Sequence, residues 1–295
     1  MKIKVVDLSS SKVFEEKVYG EKFIDFLYKS SLGKVFSPLL TLPIASRLYG
    51  RKMDSTKSKS QIISMIAEHR IDTSKFIKTS NCNIGWNTFN EFFIRKYKRE
   101  FMSFVQGQSL PAFCEGRYFA WNSEGDIKKL PVKGYELNIK EILGGKNHED
   151  FMNGPVVVCR LAPVDYHRFH FPDDCKVLDS YAIAGKLHSV NPLALKSKKD
   201  ILIINERQVS ILETTNFGKL AMIEVGAVCV GKIVQTYNST KNRRGDEKGY
   251  FKFGGSTVVI LGQRGKWSPS KELISNTEKG LESYAKIGTA IGASS

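Results

Sequence analysis

The sequence predicts an α+β fold, with an N-terminal helical layer on a mostly antiparallel β domain. Two textures of the chain carry that expectation. Over residues 1–105, apolar residues recur at three- and four-residue spacing, as in Phe23, Phe26, Leu27, Leu32, Val35 and Phe36, the period of one helix face. Over residues 106–268, short β-branched and apolar runs are bounded by Gly, Asn, Pro and charged turns without long helices between them, which is the patterning of a sheet of neighbouring strands. Residues 269–295 are polar and read as a C-terminal tail, in which Leu281 to Ile287 suits a last helix.

The helical region comes in pieces. In "EKFIDFLYKSSLGKVFSPLLTLPIASRLYG", lysines and Arg47 interleave with the apolar residues, and Pro38 and Pro43 interrupt the run. Two readings stand for it: a helix packed on the core, or a basic amphipathic element whose aromatic face enters a bilayer headgroup region. "QIISMIAE", Gln61 to Glu68, is a second short amphipathic helix. Trp86 to Glu100 is aromatic and then basic, a mixture that suits a nucleic-acid stacking groove, although no RNP-like, helix-turn-helix or zinc-finger signature accompanies it.

In the β region the expected strands are Val156–Leu161, Ile201–Ile204, Val209–Leu212, Leu220–Val225, Val228–Val234 and Val258–Leu261. The last is the densest β-branched run, yet Gly254-Gly255-Ser256-Thr257 stands at its mouth.

Composition sets the setting. Forty-five Lys and Arg against 30 Asp and Glu leave a formal charge of +15, which favours polyanions: nucleic acid or an anionic membrane face. Cys82, Cys114, Cys159, Cys175 and Cys229 are scattered and form no CxxC pair, which points to a reducing compartment and away from a zinc ribbon. "MKIKVVDLSSSKVFEEK" has no apolar stretch suited to a signal peptide. Val35 to Ser46 is uncharged but contains two prolines and falls short of the roughly 20 residues that cross a bilayer.

Two places carry chemistry. In "LAPVDYHRFHFPDD", His167 and His170 lie between Pro163 and Pro172, with Asp165 nearby. An extended strand puts Asp165 and His167 on one face and His170 on the other, so only a bend gathers all three. They read as a two-His-one-carboxylate metal site or as histidines in a proline-bounded turn. The other histidines stand alone, so no metal is expected. Ser256 lies outside any G-x-S-x-G elbow. Gly255 before it leaves the preceding carbonyl uncrowded. Two readings remain, a glycine bulge or a serine that attacks its own peptide bond.

Several blocks in order give the chain a family resemblance. "EEKVYGEKFIDFLY", "SRLYG", "NTFNEFFIRKYK", "PVDYHRFHFP", "GKLHSVNPLAL", "NERQVSILETTNFGKLAMIEVGAVCVGKI" and "GGST" resemble the phosphatidylserine decarboxylase family, with its Asp-Tyr-His-Arg-x-His block and Gly-Ser-Thr processing site. The resemblance implies cleavage at Gly255-Ser256 by an N-to-O acyl shift, which leaves a large and a small chain and turns Ser256 into a covalent pyruvoyl group. That ketone would hold the amine of phosphatidylserine as a Schiff base and accept the electrons left when carbon dioxide departs, giving phosphatidylethanolamine.

By the same resemblance His170 is the base for Ser256, and His167 moves a proton near the substrate. The family aspartate that orients the base is replaced in "LPAFCEGRYFAW" by Glu115, which is expected to orient His170, with Asp165 as the fallback carboxylate. The implied setting is a peripheral enzyme on the cytoplasmic side of the cell membrane. Its helical layer faces an anionic surface, no nucleic acid is involved, and the family suggests a homodimer. The alternative is an unprocessed, non-catalytic relative that binds anionic lipid.

Overall fold

The computed structural model describes residues 3–16, 30, 43–122, 127–130, 135–190, 200–227, 232–254 and 256–295. Ten strands form the main sheet. Their spatial order is Lys241–Asn242, Cys175–Ile183, Arg207–Thr214, Lys219–Val225, Ser256–Gly262, Val156–Leu161, Gly116–Trp121, Glu282–Ala285, Ile3–Asp7 and Lys12–Glu16. Neighbours run antiparallel except Ile3–Asp7 beside Glu282–Ala285, which are parallel. The α+β class and the antiparallel sheet agree with the sequence.

Ser256–Gly262 lies in the middle of the sheet with every residue buried, and its partner Val156–Leu161 is buried throughout. A strand covered on both faces needs a continuous apolar run instead of an alternating one, which is why Val258–Leu261 was legible. Burying each such side chain contributes roughly 1.5–3 kcal/mol.

A second apolar cluster, including Met53, Ile62, Trp86, Phe89 and Phe93, is built by the helices Pro43–Met53, Lys59–His69 and Phe89–Phe93. The Phe89–Phe93 helix starts where its sequence says it should. The Thr88 hydroxyl accepts from the Glu91 amide at 3.2 Å, and the Glu91 carboxylate takes the Asn87 amide at 2.7 Å, so amide donors at the helix start are satisfied.

The structure corrects three expectations. The first hundred residues are not simply helical: Ile3–Asp7 and Lys12–Glu16 form a hairpin at the sheet edge, where Ile3 and Val5 are buried and Lys4 is exposed. Apart from Ser30, the basic element from Phe23 to Phe36 lies outside the described residues. Ile201–Ile204 is one helical turn, because four consecutive aliphatic residues carry no period. Of Val228–Val234, residues 228–231 lie outside the described residues, and Ile233–Gln235 is a strand.

The third correction concerns the C-terminal segment, which contributes to the core. Ser270 caps the helix Lys271–Glu278. Leu281 to Ile287, read as a helix, holds the strand Glu282–Ala285, paired on both sides. No helix among the described residues is long and apolar enough to cross a membrane.

One buried ion pair belongs to the core. Lys248 Nζ lies 2.9 Å from Glu224 Oε1 and 2.8 Å from Gln235 Oε1, with both charged side chains fully buried. Burial pushes the Glu224 carboxyl above its ordinary range, with Lys248 opposing. Lys248→Met is expected to lower stability by about 3–5 kcal/mol, because it strands a buried charge. Adding Glu224→Gln should recover part of that loss in urea unfolding.

Candidate active site

The site forms where the central strand begins. Ser256 pairs with Leu161. Just past Leu161 the chain turns, with the Asp165 amide donating to the Ala162 carbonyl at 2.9 Å. This bend carries His167 back over the strand end, and His167 Nδ1 lies 3.5 Å from Ser256 Oγ, long for a hydrogen bond. His167 Nε2 lies 3.0 Å from the Ala162 carbonyl. A carbonyl only accepts, so Nε2 carries the proton and Nδ1 presents a lone pair to the serine.

Burial, reinforced by the Arg95 guanidinium, holds His167 well below the usual histidine range. The ring is therefore neutral at pH 7. A neutral imidazole whose bare nitrogen faces a hydroxyl is the resting arrangement of a general base.

His170 has other partners. Its Nδ1 lies 2.8 Å from the Gly245 carbonyl and its Nε2 lies 3.2 Å from the Tyr166 hydroxyl. Gly245 sits in a turn at φ +84°, a conformation that costs other residues more than glycine. Burial lowers His170 to about 4, against the pull of the Gly245 carbonyl.

Glu115 is buried and accepts from the Tyr97 hydroxyl at 2.7 Å. Asp165 accepts from the Ala162 amide at 2.6 Å and from Arg117. The expectation that one of these carboxylates orients His170 thus meets a structure in which a backbone carbonyl holds the ring. Glu115 is linked to it at a distance, through Tyr97 packed on Tyr166 with ring centroids 4.7 Å apart. Among the described residues, no hydrogen bond joins His170 to Ser256 or to Glu115.

Gly255 lies outside the described residues. Gly254 before it has φ +139°, backbone that a side chain disfavours. Phe253 is held by the Phe89–Phe93 helix: its amide donates to Asn90 Oδ1 at 3.1 Å, and its ring packs edge-on against Phe89 at 4.9 Å. The same helix supports the histidine, because Phe93 stacks on His167 at 3.8 Å and 20°. Arg95 follows, between the Phe76 and Phe92 rings, and donates to the Val164 and Asp165 carbonyls at 2.8 Å each.

The aromatic part of the stretch and Arg95 therefore turn inward and build the floor of the site, while Lys96, Lys98 and Arg99 stay exposed. Sequence reasoning missed Asn90, Phe93, Arg95 and Tyr166. The signal available was a Thr-capped helix start followed by three phenylalanines, which favours packing over a stacking groove. Among the described residues, no three His, Cys, Asp or Glu side chains converge as metal ligands.

A buried serine thus stands at the mouth of a core strand, close to a glycine at positive φ and faced by a neutral imidazole, a pairing that suits an enzyme site. The phosphatidylserine decarboxylase family model matches residues 89–293. The chain is 37% identical to a phosphatidylserine decarboxylase proenzyme of Clostridium perfringens, over 98% of this chain and 99% of that protein. It is also 37% identical to one of Chlamydia caviae (99% and 98%) and 34% identical to one of Fusobacterium nucleatum (99% and 97%). The chain belongs to the phosphatidylserine decarboxylase family.

Proposed function

We propose that this chain is made as a precursor that cuts itself between Gly255 and Ser256 and then decarboxylates phosphatidylserine to phosphatidylethanolamine. The observation that carries the reading is the lone pair of His167 Nδ1 facing the buried Ser256 hydroxyl. The hydroxyl adds to the Gly255 carbonyl while its proton passes to the imidazole. The peptide C–N bond breaks, the freed amine takes a proton, and an ester links residue 255 to Oγ. Loss of the α proton of residue 256 expels residues 1–255 as a carboxylate. Water then replaces the nitrogen, which leaves as ammonia, and the small chain ends in a pyruvoyl group.

The residues present fit such a group. Residue 256 is fully exposed to neither solvent nor loop motion: its accessibility is 0%, and the strand it opens is paired on both sides. Held at residue 256, the group would supply an electron-accepting ketone toward the substrate amine. His167 then stands beside residue 256 to hold or move a proton at Nδ1, with Phe93 fixing the ring plane and Arg95 keeping it neutral.

A second reading keeps the base role for His170, as the family resemblance implies. His170 Nδ1 donates to Gly245, so Nε2 also has a lone pair, and its one hydrogen bond is with Tyr166. The unprocessed lipid-binding alternative is separated from both readings by an intact-mass measurement, because it stays in one piece.

The reading also places the enzyme peripherally, at the cytoplasmic face of an anionic bilayer. Leu48, Tyr49 and Ile63 are 59%, 37% and 55% exposed, and the helix that carries the first two also exposes Arg51 and Lys52. Each such cation near an anionic surface contributes roughly 1 kcal/mol. The protein is expected to float with liposomes containing phosphatidylserine and to be released by salt. Equal flotation with neutral liposomes would remove the electrostatic part.

A further inference from the structure

A buried charge cluster adjoins the histidines. Arg117 and Arg160 are paired across neighbouring strands and lie among Glu16, Asp165 and Glu282. Arg160 donates to Glu282 at 2.7 and 2.5 Å and to Glu16 at 2.5 Å. Arg117 donates to Asp165 and lies 3.5 Å from Glu16. Desolvating five charged groups is costly, and apolar packing of similar volume is often as stable. Stability alone therefore does not explain the cluster, and the contacts at its Asp165 end suggest what does.

Asp165 Oδ2 takes both Arg117 and the Ala162 amide, and the Asp165 amide returns a bond to the Ala162 carbonyl. That same carbonyl fixes the proton on His167 Nε2. We infer that the Arg117–Asp165 pair is a positioning device for His167: by locking the Ala162–Asp165 turn it decides which ring nitrogen is bare and keeps it aimed at residue 256. The inference rests on the reading that residue 256 is where the chemistry occurs and that His167 is its base. Glu282 lies beyond the cleavage position, whereas Glu16, Arg117, Arg160 and Asp165 precede it. Through Arg160 and Glu16, the cluster ties the small chain to the turn after the backbone is cut.

The groups facing Asp165 are Arg117 from the Gly116–Trp121 strand, Arg95 from beyond the aromatic helix, Glu115, and Glu16 from the edge hairpin. Burial pushes Asp165 up to about 6, against Arg117. Its charge, and with it the ion pair, is present above that pH and lost as pH falls through it.

The test uses the full chain and two readouts. In the uncleavable Ser256→Ala precursor, 15N shifts of the His167 ring should report a proton fixed on Nε2. Asp165→Asn, which keeps an oxygen for the Ala162 amide, should give a mixture of tautomers. In chains with Ser256 intact, Asp165→Asn and Arg117→Met should each slow cleavage after cell-free synthesis by about a hundredfold, and the double variant should be no slower than either alone. The acid-side fall in cleavage rate near pH 6 should vanish in Asp165→Asn.

Folded Asp165→Asn with an unchanged tautomer and an unchanged rate would overturn the inference. If Asp165→Asn does not fold, Arg117→Lys replaces it in both readouts, and an unchanged tautomer and rate there overturn the inference equally. A parent chain that is never cleaved defeats the reading of residue 256 instead, and the ring shifts still decide the role of the turn.

Discussion

Ser256→Ala is expected to leave one chain of 295 residues, while the parent is recovered as two pieces, residues 1–255 and 256–295. Decarboxylation should be lost completely, because the reacting carbonyl is made from the residue that was changed. The substitution removes one oxygen from a fully buried position, whose strand is held by the backbone ladders to Val156–Leu161 and Lys219–Val225. The variant should therefore fold, and its thermal unfolding should match that of a precursor. Ser256→Cys is a graded control: a thiol can make the acyl shift, so slow cleavage is expected. Intact mass answers the question directly. The parent's small piece should be blocked to N-terminal sequencing, as a keto-acyl end is and a free amine is not. A parent that remains whole under native conditions, or a small piece that sequences normally, would end the pyruvoyl reading.

How much of this was legible depends on which atoms do the work. The Val258–Leu261 strand was legible because burial on both faces requires the β-branched run that the sequence shows. The histidine pair was legible as chemistry only through the family resemblance, because two imidazoles between two prolines equally suit a structural turn. Which ring meets Ser256 was not legible. It is decided by the turn after Leu161 and by two backbone carbonyls, of Ala162 and Gly245, and residue type says nothing about a carbonyl's direction.

The charge count misled in a related way. Arg95, Arg117, Arg160 and Lys248 belong to the +15 surplus, yet all four are buried. They serve the turn, the cluster and the core, Arg168 and Arg207 are buried as well, and only exposed cations can meet a membrane. The strand within Leu281 to Ile287 was missed because half of its residues are polar, and Glu282 and Ser283 are buried through Arg160 and Asn276. A sequence scan reads such residues as surface.

The two histidines make the sharpest division. His167→Gln should slow cleavage by about 10²- to 10⁴-fold, the usual worth of a positioned base, because no other ring nitrogen lies within 3.5 Å of Ser256 Oγ among the described residues. His170→Gln should cost far less, about tenfold or below, if its task is to hold Tyr166 and the Gly245 turn. Glu115→Gln should behave like His170→Gln, since Tyr97 links that carboxylate only indirectly to the ring. The opposite order, with His170→Gln blocking cleavage and His167→Gln permitting it, would return the base role to His170 and restore Glu115 as its partner.

The pH profile is a second check on the same division. Burial lowers both rings, His170 to about 4 and His167 well below its usual value. A depressed value keeps the neutral, proton-accepting form available at pH 5–7 and loses it only as pH falls through the lowered pKa. Cleavage should therefore show no acid limb centred on the ordinary histidine value near 6.5. Once Asp165→Asn has removed its own contribution, the rate should stay level down to about pH 5. A limb at 6.5 that persists in that variant would mean that the working imidazole is solvated, which neither buried ring is, and would place the base elsewhere in the chain.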